Sequence, residues 1–200
     1  MLRKQIGALF FAGASLLTIS GCSTDVKRMD VNTVKDISGY WNDTDSRLVA
    51  EEMIRDSLSR GWIDNFKEKH QKTPSIIVGN IRNLSYEHIN TNTFIDDLER
   101  AFINSGRINV VASRSERKDI RAERLDMDLN SSDESRKEMG RETGADFMLI
   151  GKINSIIDAT NSEQVRFYQI DLTLVSITDN REVWIGQKKL KKDIKDATFR

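Results

Sequence analysis

The chain has 200 residues, of which 31% are charged and 38% hydrophobic. That length holds one domain, or a domain with a tail, and the balance excludes both a wholly disordered chain and a multi-span membrane protein. The 31 basic and 31 acidic residues cancel, so the chain as a whole offers no electrostatic footprint for nucleic acid.

Met1 to Gln5 carry two positive charges, and Ile6 to Ile19 are nearly all apolar or small. A short positive region, a run of about 14 apolar residues and small residues before a cut make a signal peptide, too short for a comfortable transmembrane helix. It ends Leu17-Thr18-Ile19-Ser20-Gly21-Cys22, the form of a lipobox. Cys22 is the single cysteine, so no intramolecular disulfide can form, and the odd thiol is explained if it carries lipid. A thiolate is the nucleophile such alkylation requires. Small Ser20 and Gly21 fit the backbone into a protease cleft. Diacylglycerol and N-acyl chains such as palmitate on Cys22 would anchor the mature protein far more firmly than one chain. An aspartate after the cysteine favours the inner membrane where sorting rules are best known; Ser23 favours the outer membrane, facing the periplasm.

Ser23 to Thr44 is polar, lacks proline and has no clear period. It predicts a flexible tether of about 75 Å fully stretched and about 25 Å on average as a coil. The first helix is expected near Asp45 or Ser46, with Val49, Met53, Ile54, Leu58, Trp62 and Phe66 as its apolar stripe and Gly61 as a weak point. Trp41 is expected to pin the tether's end to the domain. Pro74 precedes a strand over Ser75 to Ile81, then a loop from Arg82 to Thr91. Thr93 and Asp96 suggest a capping box. The second helix runs through Phe94, Leu98, Ala101 and Phe102 to a left-handed stop at Gly106.

Ile108 to Ala112 predict a short strand, and Ser113 caps a charged helix to about Leu125. Asp126 to Asp133 read as a loop, and a further helix ends at Gly144. Phe147 to Ile157 and Val165 to Ile177 predict long strands, the latter alternating Tyr168, Ile170, Leu172 and Leu174 with Gln169, Asp171 and Thr173. Asp179-Asn180 turns the chain into a last strand, Glu182 to Leu190. This order predicts an α/β chain (an α+β sandwich) whose mixed β-sheet of about four to five strands is flanked by helices. The domains are 1–21, the signal peptide; 22–44, the tether from lipidated Cys22; and 45–195, the globular domain.

Tests for chemistry come out negative. His70 and His88, the two histidines, lie in no spaced cluster with Cys, Asp or Glu, so no metal is expected. No serine sits in a Gly-x-Ser-x-Gly elbow. Glu51-Glu52 and Asp96-Asp97 are helix neighbours pointing about 100° apart, unsuited to paired acid–base work. No phosphate-cradling glycine pattern is present. The expectation is a protein that is not an enzyme and takes no cofactor beyond its lipid. Lys188, Lys189, Lys191, Lys192 and Lys195 form one basic cluster. It suits an edge strand that resists aggregation, or a contact for an acidic protein surface or lipid headgroups.

The stretches Trp41 to Ser46 (WNDTDS), Val78 to Thr91 (VGNIRNLSYEHINT), Ser105 to Ser113 (SGRINVVAS), Gly144 to Asp158 (GADFMLIGKINSIID) and Phe167 to Lys192 resemble the LpoB family of penicillin-binding protein activator lipoproteins. The resemblance covers roughly 41–192. It implies a compact domain tethered to the outer membrane that binds and activates a bifunctional penicillin-binding protein and so regulates peptidoglycan synthesis. The short, proline-free tether departs from the long proline-rich one of the best-known members. The alternative is a structural or accessory lipoprotein of an envelope assembly or secretion complex. Loop position and exposure suggest Arg82, Asn83, Glu87 and Arg114 as partner-binding residues.

Overall fold

The computed structural model describes residues 26–130, 144–160 and 162–195. The signal peptide, Cys22 and the helix expected to end at Gly144 therefore lie outside the described residues, apart from Gly144 itself. Val34 to Arg200 form one compact unit, and Met1 to Thr33 a separate one. In the second of these, Asn32 N–H donates to Asp30 Oδ1 in a turn.

The apolar stripe of the first helix is broken where glycine weakens it. Helix α1 spans Asp43–Ser59 and α2 spans Trp62–His70, with Arg60 extended and Gly61 at the N-cap of α2. The start of α1, two residues earlier than expected, has a cap of its own. Asn42 accepts from Asp45 N–H and Asp45 accepts from Asn42 N–H, both at 3.0 Å, a reciprocal capping box. Strand β1 is Ser75–Leu84, so Arg82 and Asn83 belong to a strand rather than to the expected loop. Helix α3 is Thr91–Ser105. Asn90, not Thr93, caps it, accepting from Asn92 N–H at 3.1 Å. Gly106 stops it at φ +63°, as expected of a left-handed C-cap.

Strand β2 is reduced to Asn109–Val110. Helix α4, Arg114–Asn130, runs through the first part of the expected acidic loop. Ser113 N–H donates to Glu116 Oε2 at 2.7 Å and helps open the helix. The long strands are β3, Phe147–Ala159, β4, Glu163–Ser176, and β5, Glu182–Lys195. The last is five residues longer than its apolar pattern indicates.

The five strands form a mixed sheet in the order β2-β1-β3-β4-β5. β1 is parallel to β2 and β3, while β3, β4 and β5 are antiparallel. An α+β fold with a mixed sheet is therefore what the strand and helix order requires. Val49, Ile54 and Ile63 from α1 and α2 and Phe94, Leu98 and Phe102 from α3 form one core. They pack with alternate residues of the sheet: Ile76, Leu149, Ile153, Tyr168, Ile170, Leu172 and Leu174. The alternation read in β4 is observed in full, with Tyr168, Ile170, Leu172 and Leu174 each completely buried. α1, α2 and α3 thus cover one face of the sheet. On the other face of β3, β4 and β5, Ile150, Ile156 and Ile185 are exposed.

Candidate functional site

The segment expected to be free tether is fastened to the domain from Asp36 onward. The Trp41 ring stands edge-on to Phe94 and Tyr168, with centroids 6.1 and 5.7 Å away. Its indole N–H donates to Ser46 Oγ at 2.8 Å, and its backbone N–H to Glu87 Oε2 at 3.2 Å. Trp41 therefore pins the chain as expected, but five further residues before it are docked as well. Lys192 Nζ donates to Asp36 Oδ1 at 2.7 Å, to Asp45 Oδ2 at 2.6 Å and to the Tyr40 carbonyl at 3.1 Å. One lysine of β5 thus ties together the incoming chain and the capping box of α1. The hydrogen bond from Lys192 holds the Asp36 carboxyl below its ordinary range, whereas burial raises that of Asp45.

Beside this clasp lies a buried polar cluster. Arg166 Nη1 and Glu87 Oε1 are 3.0 Å apart, with side chains 5% and 6% exposed. Tyr168 Oη donates to the same Glu87 oxygen at 2.6 Å. Arg166 Nε donates to Gln164 Oε1 at 3.1 Å, and its guanidinium lies 3.5 Å from the centre of the Tyr40 ring. Burial first, then the carboxylate it faces, pushes the Tyr168 phenol well above its ordinary range. Such a cluster fixes a segment in place, because the Glu87 and Arg166 charges face each other and the Tyr168 hydroxyl has an acceptor.

These contacts also place Glu87 and Asn83, two of the residues expected to meet a partner. Glu87 is not an exposed loop carboxylate; it is the acceptor at the centre of the buried cluster. Asn83, next to last in β1, turns to the loop that follows: its Nδ2 donates to the Glu87 carbonyl at 2.7 Å, and its Oδ1 accepts from Ser85 N–H and Oγ at 3.0 and 2.6 Å. Loop position suggested exposure, but both residues build the loop that receives Trp41. Arg114 is the first residue of α4, on a different element from β1, which carries Arg82. Arg82 is exposed on the open face of the sheet, at a hollow of about 380 Å³ shared with Ile150, Lys152, Asp171 and Thr173. Lys188 and Lys192 are committed to ion pairs with Glu52 and with Asp36 and Asp45, so the basic cluster is not one free patch.

The opposite end of the sheet carries a cleft of about 540 Å³ between α2 and the β4–β5 turn. Phe66, stacked on His70 at 4.4 Å, and Phe147 form its apolar side; Lys69, Asp179 and Arg181 form its polar rim. The hydrogen bond with Ser176 and the Arg181 guanidinium hold the Asp179 carboxyl down at about 2. The signal for this cleft was split in sequence between 60–70 and 176–183, and no pattern links the two. His88 is exposed beside Glu87.

Fold and contacts together define a small α+β domain that fastens its own N-terminal segment at one end and, among the described residues, leaves Ile150, Ile156 and Ile185 exposed on one sheet face. The family model described as "Peptidoglycan-synthase activator LpoB" matches residues 45–190. The chain belongs to the LpoB family, and its general role is that of a peptidoglycan-synthase activator acting on a protein partner. Among solved structures, it is similar to the LpoB C-terminal domain from Escherichia coli, at 15% identity and a TM-score of 0.41, over 74% of this chain and 96% of that one. It is also similar to the LpoB C-terminal domain from Salmonella enterica, at 15% identity and a TM-score of 0.37, over 65% and 93%. A third is lipoprotein GNA1162 from Neisseria meningitidis, at 15% identity and a TM-score of 0.39, over 60% and 83%. No curated protein matches the chain. Among the described residues no helix is long and apolar enough to cross a membrane.

Proposed function

We propose that this protein is an outer-membrane lipoprotein, lipidated on Cys22, that binds a bifunctional penicillin-binding protein and raises its rate of peptidoglycan synthesis without doing chemistry of its own. The observation that carries this reading is the family match across 45–190, nearly the whole folded unit. The contacts agree with it. The buried ionisable groups Glu87, Arg166 and Tyr168 are spent on fastening Trp41, which is structural work. An activator of this kind acts by binding one conformation of the synthase better than another, which shifts the population toward the active state.

The clasp bears on reach. The compact unit begins at Val34, so about twelve residues separate it from Cys22, at most about 40 Å when extended. The 14 residues of β4 add about 45 Å from the clasped end of the sheet to the cleft end. A partner must therefore present its docking site within about 85 Å of the anchoring leaflet. Photo-crosslinking in cells from the domain surface, with identification of the captured protein, tests the proposal. Capture of a bifunctional synthase is expected, and consistent capture of a ring or secretion component instead would contradict it. Radiolabelled palmitate should appear in the wild-type chain and be absent from Cys22→Ser.

A further inference from the structure

Strand β5 sorts its lysines by face. Lys188 and Lys192 point to the helix side, where Lys188 Nζ meets Glu52 at 2.5 Å and Lys192 meets Asp36 and Asp45. Lys189 and Lys191 fall on the other face, and among the described residues neither has a carboxylate within 4.0 Å. The register carries this pattern across the sheet. Lys191 lies opposite Phe167, which lies opposite Ile156; Lys189 opposite Gln169, then Asn154, then Leu84. The next row is Gln187, Asp171, Lys152 and Arg82. Arg82 and Lys152 are exposed and likewise have no carboxylate partner among the described residues. Asp171, the acid among them, is occupied by amide donors from Gln169 at 3.0 Å and Gln187 at 2.9 Å. Exposed aliphatic side chains accompany these rows: Leu84 and Ile156, 52% and 63% exposed, within the rows of Lys189 and Lys191, and Ile150 and Ile185, 39% and 63% exposed, in the row beyond Arg82 and Lys152.

We infer that this open sheet face, centred on Arg82, Lys152, Lys189 and Lys191, is the surface on which an acidic, partly apolar face of the synthase docks. The inference rests on the activator reading above and gives it a location. Four cations with no carboxylate partner among the described residues, beside exposed aliphatics and a hollow of about 380 Å³, are the makings of an interface with an anchoring pocket. A bilayer fits less well. Asp158, Glu163 and Asp193 continue the same face beyond Lys191, with Lys195, 3.5 Å from Asp193, the one base among them, so that end of the face carries more acid than base and does not draw anionic headgroups. A second copy would bring two cationic bands together across a twofold contact, which like charges oppose.

The test uses the mature chain with Cys22→Ser, purified bifunctional synthase, and two double variants, Arg82→Glu with Lys152→Glu and Lys189→Glu with Lys191→Glu. Each pair should weaken binding about 10-fold, mainly through slower association that no longer depends on salt, and should lower stimulated glycan synthesis in parallel. Lys69→Glu, at the cleft end, should leave binding unchanged. Circular dichroism melts of the variants should match wild type, because all four side chains are exposed; Arg82→Gln with Lys152→Gln gives a milder version. Wild-type binding with undiminished affinity in both double variants overturns the docking face and leaves the activator role standing. No binding of wild type to any synthase overturns both. Loss of binding to phosphatidylglycerol vesicles, or loss of self-association in sedimentation, with synthase binding intact, also overturns the inference in favour of lipid or a second copy.

Discussion

Substituting Glu87 by alanine is the most demanding test of the clasp. Arg166 and Glu87 have 5% and 6% of their side chains exposed, so the variant strands a guanidinium charge away from water. It also deprives the Trp41 N–H of its acceptor and leaves the Tyr168 hydroxyl only the Gly39 carbonyl, at 3.3 Å. Breaking a buried pair from one side costs about 3–5 kcal/mol. Arg166 keeps Gln164 at 3.1 Å and the Tyr40 ring at 3.5 Å, which sets the expectation at the lower end, about 3 kcal/mol. A folded unit of this size has an unfolding entropy near 0.3 kcal/mol/K, so Tm should fall by roughly 9 °C. Glu87→Gln, which keeps a neutral acceptor, should cost about 1–2 kcal/mol. Glu87→Leu combined with Arg166→Met removes both charges and should recover most of the loss. Scanning calorimetry of the unlipidated chain reads all three, and the Trp41 indole NMR signal reports whether the segment has come loose. A Glu87→Ala Tm within about 2 °C of wild type would show that this pair is solvated and that the clasp does not depend on it.

Gly39 sits at φ +69°, with its Cβ position inside the Ile194 side chain, so Gly39→Ala should release residues 34–40 while the core stays folded. Faster hydrogen exchange confined to that segment would confirm it. Gly151→Ala would place a Cβ 2.5 Å from the Asp171 carbonyl. Backbone cannot step aside there, so a loss of about 2–3 kcal/mol is expected in urea unfolding. Phe102 is fully buried, and Phe102→Ala should cost about 3–5 kcal/mol by the same measurement. The Asp179 carboxyl, held at about 2 mainly by Ser176 and then by Arg181, lies below its unfolded value. Its small contribution is therefore complete above pH 4 and fades as pH falls toward 2. Carbon-13 NMR should place its midpoint near 2, and a midpoint near 4 would remove the assigned contacts.

The parts of this fold legible in sequence are those where one periodicity dominates. The alternation Tyr168-Ile170-Leu172-Leu174 located β4 and its buried face, and Gly106 located the end of α3. Features that depend on partners distant in sequence stayed hidden. Asp36, Asp45 and Lys192 are separated by up to 156 residues, so the docking of the incoming chain has no local signature and the segment reads as polar tether. β5 continues to Lys195 because its lysines pair across the sheet with β4, not because its sequence is apolar. The sequence pattern puts Glu87 and Asn83 in a loop, yet polar residues there serve equally well to hold a loop together, as Glu87 does within it and Asn83 does from the end of β1. Arg82 lay in the same stretch, and the strand's alternation exposes it.

The most direct measurement is glycan-strand synthesis by the host's bifunctional penicillin-binding proteins, followed while the soluble fragment Ser23 to Arg200 is titrated in. A saturable rise in the rate of one synthase, at a concentration matching its binding constant, is the predicted result. An unchanged rate for every such synthase, with no binding to any of them, would contradict the account.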